Sequence, residues 1–165
     1  MPKVYGQNTK ISDAIGRSEY ISGISEKQEE VVVHKVNMRY DWKFYSEYEI
    51  NHQHQEGEHQ KQNEAREIII ALPNDLASNE KGKTTDEQKQ KLTNLCDDLV
   101  NNIIGENHDY EYAVHWNSSR TNLHVHILYS ERKVINEVKP KVYKKDIWQN
   151  ETTGKLANQI QKGLF

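Results

Sequence analysis

Two short apolar runs, one alternating segment and one long amphipathic stripe organise this chain, with polar stretches between them. The run Glu67 to Leu72, EIIIAL, is apolar and β-branched and is stopped by Pro73, which predicts a buried strand. Between Thr85 and Ile104, the residues Leu92, Leu95, Cys96, Leu99 and Ile103 recur at helical spacing. Thr85 and Gln88 stand three apart, the spacing of a capping box, so an amphipathic helix is expected to start there. In LHVHILY, from Leu123 to Tyr129, strand alternation puts Leu123, Val125 and Ile127 on one face and His124 and His126 on the other. The preceding run, YEYAVHW, ends just before the turn-like stretch Asn117 to Asn122, so an antiparallel hairpin returns His124 to the neighbourhood of His115.

Weaker patterns fill the rest. Ile11 to Gly23 reads as a short helix capped by Ser12 and stopped by Gly23, with Arg17 and Tyr20 about one turn apart. Val31 to His34 fits a short strand, and Tyr40 to Lys61 is aromatic and then strongly polar, a helix that runs out into solvent. Together these elements predict an α+β fold, an α/β sandwich in which helices cover one face of a largely antiparallel sheet and the histidines occupy a cleft on the other. No repeat or composition break divides residues 1–165, so one domain is expected. The end of the chain, KKDIWQNETTGKLANQIQKGLF, contains no obvious closing element and reads as the end of an N-terminal fragment of something longer.

Composition narrows the class. At 165 residues with a mean hydropathy of −0.98, the chain can bury one core that is small relative to its surface. Its single cysteine, Cys96, excludes an internal disulfide framework and suits the cytoplasm, and its place in the leucine stripe makes it core. The N-terminus lacks a charged start followed by an apolar run, and no stretch is long enough to span a bilayer, so no membrane insertion is expected. A net charge of −3 is not the basic excess of many nucleic-acid binders. Yet from Glu131 to Asp146 six basic residues (Arg132, Lys133, Lys139, Lys141, Lys144 and Lys145) stand against three acids, a segment that could follow a phosphate backbone or serve as a solvated connector.

The chemistry concentrates in His115, His124 and His126. Three imidazoles around a tight turn suit a metal ion, and three protein ligands leave a coordination position open for water or substrate. Imidazole ligands by themselves favour zinc or nickel. A second cluster, His52, His54 and His59, lies in NHQHQEGEHQ, where no apolar alternation would hold ligands in place. Glu67 begins the strand expected beside the histidines and could orient one of them. Arg17 could hold a phosphate, and Trp42, Tyr45 and Trp116 could stack on unpaired bases or fill the core.

Taken together, GRSEYISG, NEAREIIIALPND, AVHW followed by NLHVHILYSER, and YKKDIWQNETTGKLA resemble the relaxase domain of the MobA/MobL plasmid-mobilisation family, which are HUH-type endonucleases. The resemblance covers nearly the whole chain in the right order and is weakest from Val31 to Gln62. It implies a divalent metal, manganese or magnesium, held by His115, His124 and His126. It also implies that Tyr20 cuts one DNA strand at an origin of transfer through a covalent 5′-phosphotyrosine. The implied partners are single-stranded DNA, accessory relaxosome proteins and a coupling protein. Two rivals stay open: an HUH replication initiator or transposase, whose tyrosine would follow the histidines and fall on Tyr143, and a metal-stabilised DNA-binding module that does not cleave.

Overall fold

The computed structural model describes residues 6–24, 29–51, 63–78, 84–135 and 138, and among them five strands form one antiparallel sheet. The strands are β1 (Gly6–Ile11), β2 (Glu30–Asn37), β3 (Ala65–Leu72), β4 (His108–Trp116) and β5 (Leu123–Lys133). The helices are α1 (Ala14–Ser22), α2 (Trp42–Asn51) and α3 (Asp86–Ile103). Across the sheet the order is β1-β3-β5-β4-β2, so the two strands that carry His115, His124 and His126 lie at or beside the centre.

Alternation then divides the side chains of each strand between two faces. One face carries Ile68, Ile70 and Leu72 of β3, Leu123, Val125 and Ile127 of β5, and Tyr112, Val114 and Trp116 of β4. The buried stripe of α3, Leu92, Cys96, Val100 and Ile103, packs onto it. That helix begins with the expected capping box: Gln88 N–H donates to the Thr85 hydroxyl at 3.1 Å, and Thr85 N–H donates to the Gln88 side chain at 3.0 Å.

Helices cover the other face as well, which corrects the expectation of a one-sided sandwich. The histidine face is apolar over part of its area: Ala65, Ala113 and Leu128 meet Ala14 and Ile21 of α1 and Trp42 and Tyr45 of α2 in a second core. Small strand residues let both helices sit close, and the polar part of the face is left beside them. Trp42, Tyr45 and Trp116 are accordingly core residues, exposed by 6%, 0% and 0%, and are not placed to stack on bases.

Two boundaries also differ from expectation. The α1 cap is Asp13 rather than Ser12, since the Asp13 carboxylate accepts from Gly16 N–H at 2.9 Å. At the other end Gly23, with φ of 83°, closes the helix: its N–H donates to Tyr20 O at 3.3 Å and Ile24 N–H donates to Glu19 O at 3.0 Å. β1, unforeseen in the sequence, is a polar edge strand held through backbone pairing with β3, from Gly6 opposite Ile70 to Ile11 opposite Ala65. The expected helix from Tyr40 is α2, and His52, His54 and His59 lie outside the described residues. Among the described residues no helix is long and apolar enough to cross a membrane.

Candidate metal centre

The β4–β5 hairpin sets the site. Its turn is tied by Asn117, whose side-chain oxygen accepts from the N–H groups of Thr121 and Asn122 at 2.9 and 2.8 Å. Asn74, just after β3, accepts from Leu123 N–H at 3.0 Å and donates to Thr121 O at 2.8 Å, which fixes where β5 starts. With that register, His115 lies directly opposite His124, and Ala113 lies opposite His126. On the β3 side Ala71 pairs with His124 and Ile69 with His126, while Glu67, opposite Leu128, is the diagonal neighbour of His126. Alanines beside the imidazoles leave them room to turn toward one another.

The three rings cluster at centroid separations of 4.6 to 5.8 Å, and all three residues are buried, at 1%, 6% and 3% exposure. A fourth group joins them. Glu29, on the connection between α1 and β2, places Oε2 2.7 Å from His115 Nδ1, 3.3 Å from His124 Nε2 and 3.5 Å from His126 Nε2. One ligand atom from each of the four residues lies within 4.8 Å of the others, so this buried group can hold a metal ion. Sequence reasoning missed Glu29, because in SEKQEE it looks like any solvated acid and only the return of the chain from α1 to the sheet edge aims it inward.

The hydrogen bonds outside the cluster select the tautomers that a cation needs. His115 Nε2–H donates to Ile21 O at 2.6 Å, which turns Nδ1 inward. His126 Nδ1–H donates to Glu67 Oε2 at 3.3 Å, which turns Nε2 inward. That His126 Nε2 is buried and without a hydrogen-bond partner among the described residues. A buried nitrogen lone pair left unpaired is costly, and a divalent cation would satisfy it, so the donor set fits a metal. Electrostatics agree. Burial holds the pKa of His115 below its ordinary value against the pull of Glu29, which favours the neutral, ligating form. For Glu29 burial acts upward, but when the imidazoles are protonated the hydrogen bond from His115 Nδ1–H and their charge outweigh it and hold its carboxyl down at about 2; in the neutral, ligating tautomer Nδ1 carries no hydrogen to give it.

Tyr20, in the last turn of α1, stands against the same cluster. Its ring meets those of His115 and His126 edge-on, with centroids 6.2 and 6.0 Å away, and its hydroxyl is hydrogen-bonded to Glu29. Burial and then Glu29 raise its pKa above the ordinary phenol value. A cleft of about 570 Å³ opens over these groups, lined by Gln7, Arg17, Tyr20, Glu29, Asn122, His124 and His126, among others.

The structure therefore brings together Tyr20, Arg17, Glu67 and the three histidines. Arg132 is the clear correction: it is turned inward, donating to Glu49 at 2.6 and 3.1 Å and covering the Tyr48 ring at 4.6 Å, so its charge is matched inside the protein. Lys133 is exposed, whereas Lys139, Lys141, Lys144, Lys145 and Tyr143 lie outside the described residues. No protein-family model matches the chain, and no curated protein is significantly similar to it.

Proposed function

We propose that this domain is a metal-dependent nicking enzyme of the HUH relaxase type, acting on single-stranded DNA at an origin of transfer with Tyr20 as nucleophile. One observation carries the reading: a tyrosine from a helix end stands edge-on to two of three clustered histidines, at an open cleft, in an arrangement that also offers a metal its ligands. A structural zinc site needs no tyrosine and no cleft.

The chemistry follows from the groups present. Tyr20 Oη attacks phosphorus, the bond from phosphorus to the 3′ oxygen breaks, and a 5′-phosphotyrosine forms. The phenol gives up a proton and the departing 3′ oxygen takes one up, so the transfer is proton-neutral and the free 3′ hydroxyl can reverse it. His115, His124 and His126 would hold a divalent cation, manganese or magnesium in this reading, whose charge would make the phosphodiester a better electrophile. Glu29, hydrogen-bonded to the Tyr20 hydroxyl, orients it for attack. Accessory relaxosome proteins and a coupling protein would be the partners of such an enzyme.

Denaturing electrophoresis of single-stranded oligonucleotides from the parent element's transfer origin, with manganese or magnesium, tests the proposal. Wild type is expected to give a DNA-linked protein band and Tyr20→Phe none. A band in both moves the chemistry to another tyrosine, Tyr143 first. One feature favours a second reading: Glu29 completes a set of four ligands, and closed four-ligand sites are usually structural. Tight zinc, loss of thermal stability on chelation and no covalent product from wild type would select that non-cleaving module.

A further inference from the structure

Arg17 is the residue in the cleft whose position is hardest to explain as a DNA contact. Its guanidinium is committed to Glu67, Nε donating to Oε2 at 2.6 Å and Nη2 donating to Oε1 at 2.7 Å, a two-point grip on a carboxylate that is 3% exposed. The pair is matched in charge, so little cationic field is left for a phosphate. The same guanidinium lies over the Tyr20 ring, one turn along α1, with Cζ 4.4 Å from the ring centroid. Its Nη2 comes within 3.5 Å of His126 Nδ1, the nitrogen that Glu67 Oε2 approaches at 3.3 Å. Arginine offers only donors here, and the His126 nitrogen donates to Glu67, so Arg17 acts on His126 through Glu67.

From this geometry we infer that Arg17 is a positioning residue that locks the tyrosine to the metal ligands, its edge fixing Glu67 and through it His126, its face fixing Tyr20. The chain of contacts runs from α1 across to β3 and β5, so nucleophile and ligand are held by one side chain. The inference rests on the reading of the histidines as a metal site. Lysine cannot replace arginine in this role, because an ammonium supplies neither a planar face nor a two-point fork, although it would serve a phosphate as well.

Three variants of the full chain, Arg17→Lys, Arg17→Gln and Glu67→Gln, are titrated with Mn²⁺ by calorimetry, with circular dichroism of the metal-free proteins to confirm folding. Each is expected to bind Mn²⁺ about 10- to 100-fold more weakly than wild type, the usual effect of removing a group that orients a metal-bound histidine. The Arg17→Gln/Glu67→Gln double variant is expected to be no weaker than the worse single variant, since both act on one contact. Covalent adduct formation by Arg17→Lys should slow more than its oligonucleotide affinity falls. Unchanged Mn²⁺ affinity in all three variants overturns the positioning role, and so does Arg17→Lys behaving like wild type while Arg17→Gln loses only DNA affinity. If wild type itself binds no divalent cation, the metal reading and this inference fall together. If wild type binds cation but makes no adduct, the nicking proposal alone is lost.

Discussion

The face of the sheet under α3 and the face under α1 and α2 share every strand and differ in what they bury. Under α3 the buried side chains are almost all apolar, from Ile68 to Val125 and Ile127, and the helix closes over them. On the opposite face His115, His124, His126, Glu67 and Glu111 are all buried, small residues stand between them, and a cleft stays open. Strand alternation links the two: each apolar residue that holds β5 against α3 fixes the register of a histidine on the reverse side, and a slip of one residue would turn the imidazoles into the core. The apolar face thus supplies the precision of the polar one. It also carries more of the stability, because transfer of apolar surface is favourable while buried imidazoles cost free energy unless their nitrogens are partnered.

The largest expected effects test that division. Ile127→Ala, at a position with 0% exposure under α3, should lower the unfolding free energy by ~2–5 kcal/mol in denaturant titration, the range for such truncations. His124→Ala in metal-free protein should cost less than ~1 kcal/mol, since it removes a desolvated polar group along with its contacts. Comparable losses for both would break the comparison. Cation should narrow the gap. Mn²⁺ at about 100 times its dissociation constant is expected to add ~2.7 kcal/mol to the stability of wild type, by mass action on the folded state. Ile127→Val should keep that increment and His126→Ala should lose it, as read by the shift of the denaturant midpoint with and without Mn²⁺.

What could be read in the sequence follows the same division. The α3 stripe, the strand before Pro73 and the alternation of LHVHILY are periodic apolar signals, and the elements formed where those periods require. The pairing of His115 with His124 was legible because a hairpin around Asn117 to Asn122 leaves few other registers. β1 carried no signal, since GQNTKI buries almost nothing and is held by backbone hydrogen bonds that any sequence can make. The second core was hidden because Ala65, Ala113 and Leu128 come together from three strands and only in space. Glu29 and the grip of Arg17 on Glu67, at a separation of 50 residues, are products of that same packing.

A pH titration sharpens the comparison at intermediate cost. Burial lowers the pKa of His115 and of His108, whose Nδ1 bonds Ser130 O at 2.8 Å. Their folded values lie below the unfolded value of about 6.5, so the unfolded chain binds more protons in that window. The stability associated with these neutral histidines is therefore complete above about pH 6.5 and is lost as pH falls below it. Glu29 and Glu67 are likewise lowered, Glu29 to about 2, so their contribution is complete above the ordinary carboxylate range and is lost as pH falls below it. The denaturant midpoint of metal-free protein should decline from pH 7 to 5 and again below pH 4.5, and a profile flat from 7 to 5 would refute neutral burial of the histidines.

The smallest effects distinguish the helices themselves. Thr85→Ala removes the cap of α3 and Asp13→Ala the cap of α1, and each should cost ~1 kcal/mol in denaturant titration. Their consequences for the site should differ. α3 touches only the apolar face, so the Thr85 variant is expected to bind Mn²⁺ like wild type. α1 carries Arg17, Tyr20 and Ile21 O, all in contact with the histidine cluster, and fraying its first turn loosens Arg17 against Glu67. Asp13→Ala should therefore weaken Mn²⁺ binding measurably at a stability cost matched by a variant that does not. Equal Mn²⁺ affinities in the two would mean that α1 is held at the site by its packing and its hydrogen bonds to the sheet without help from its cap, which then contributes only to folding.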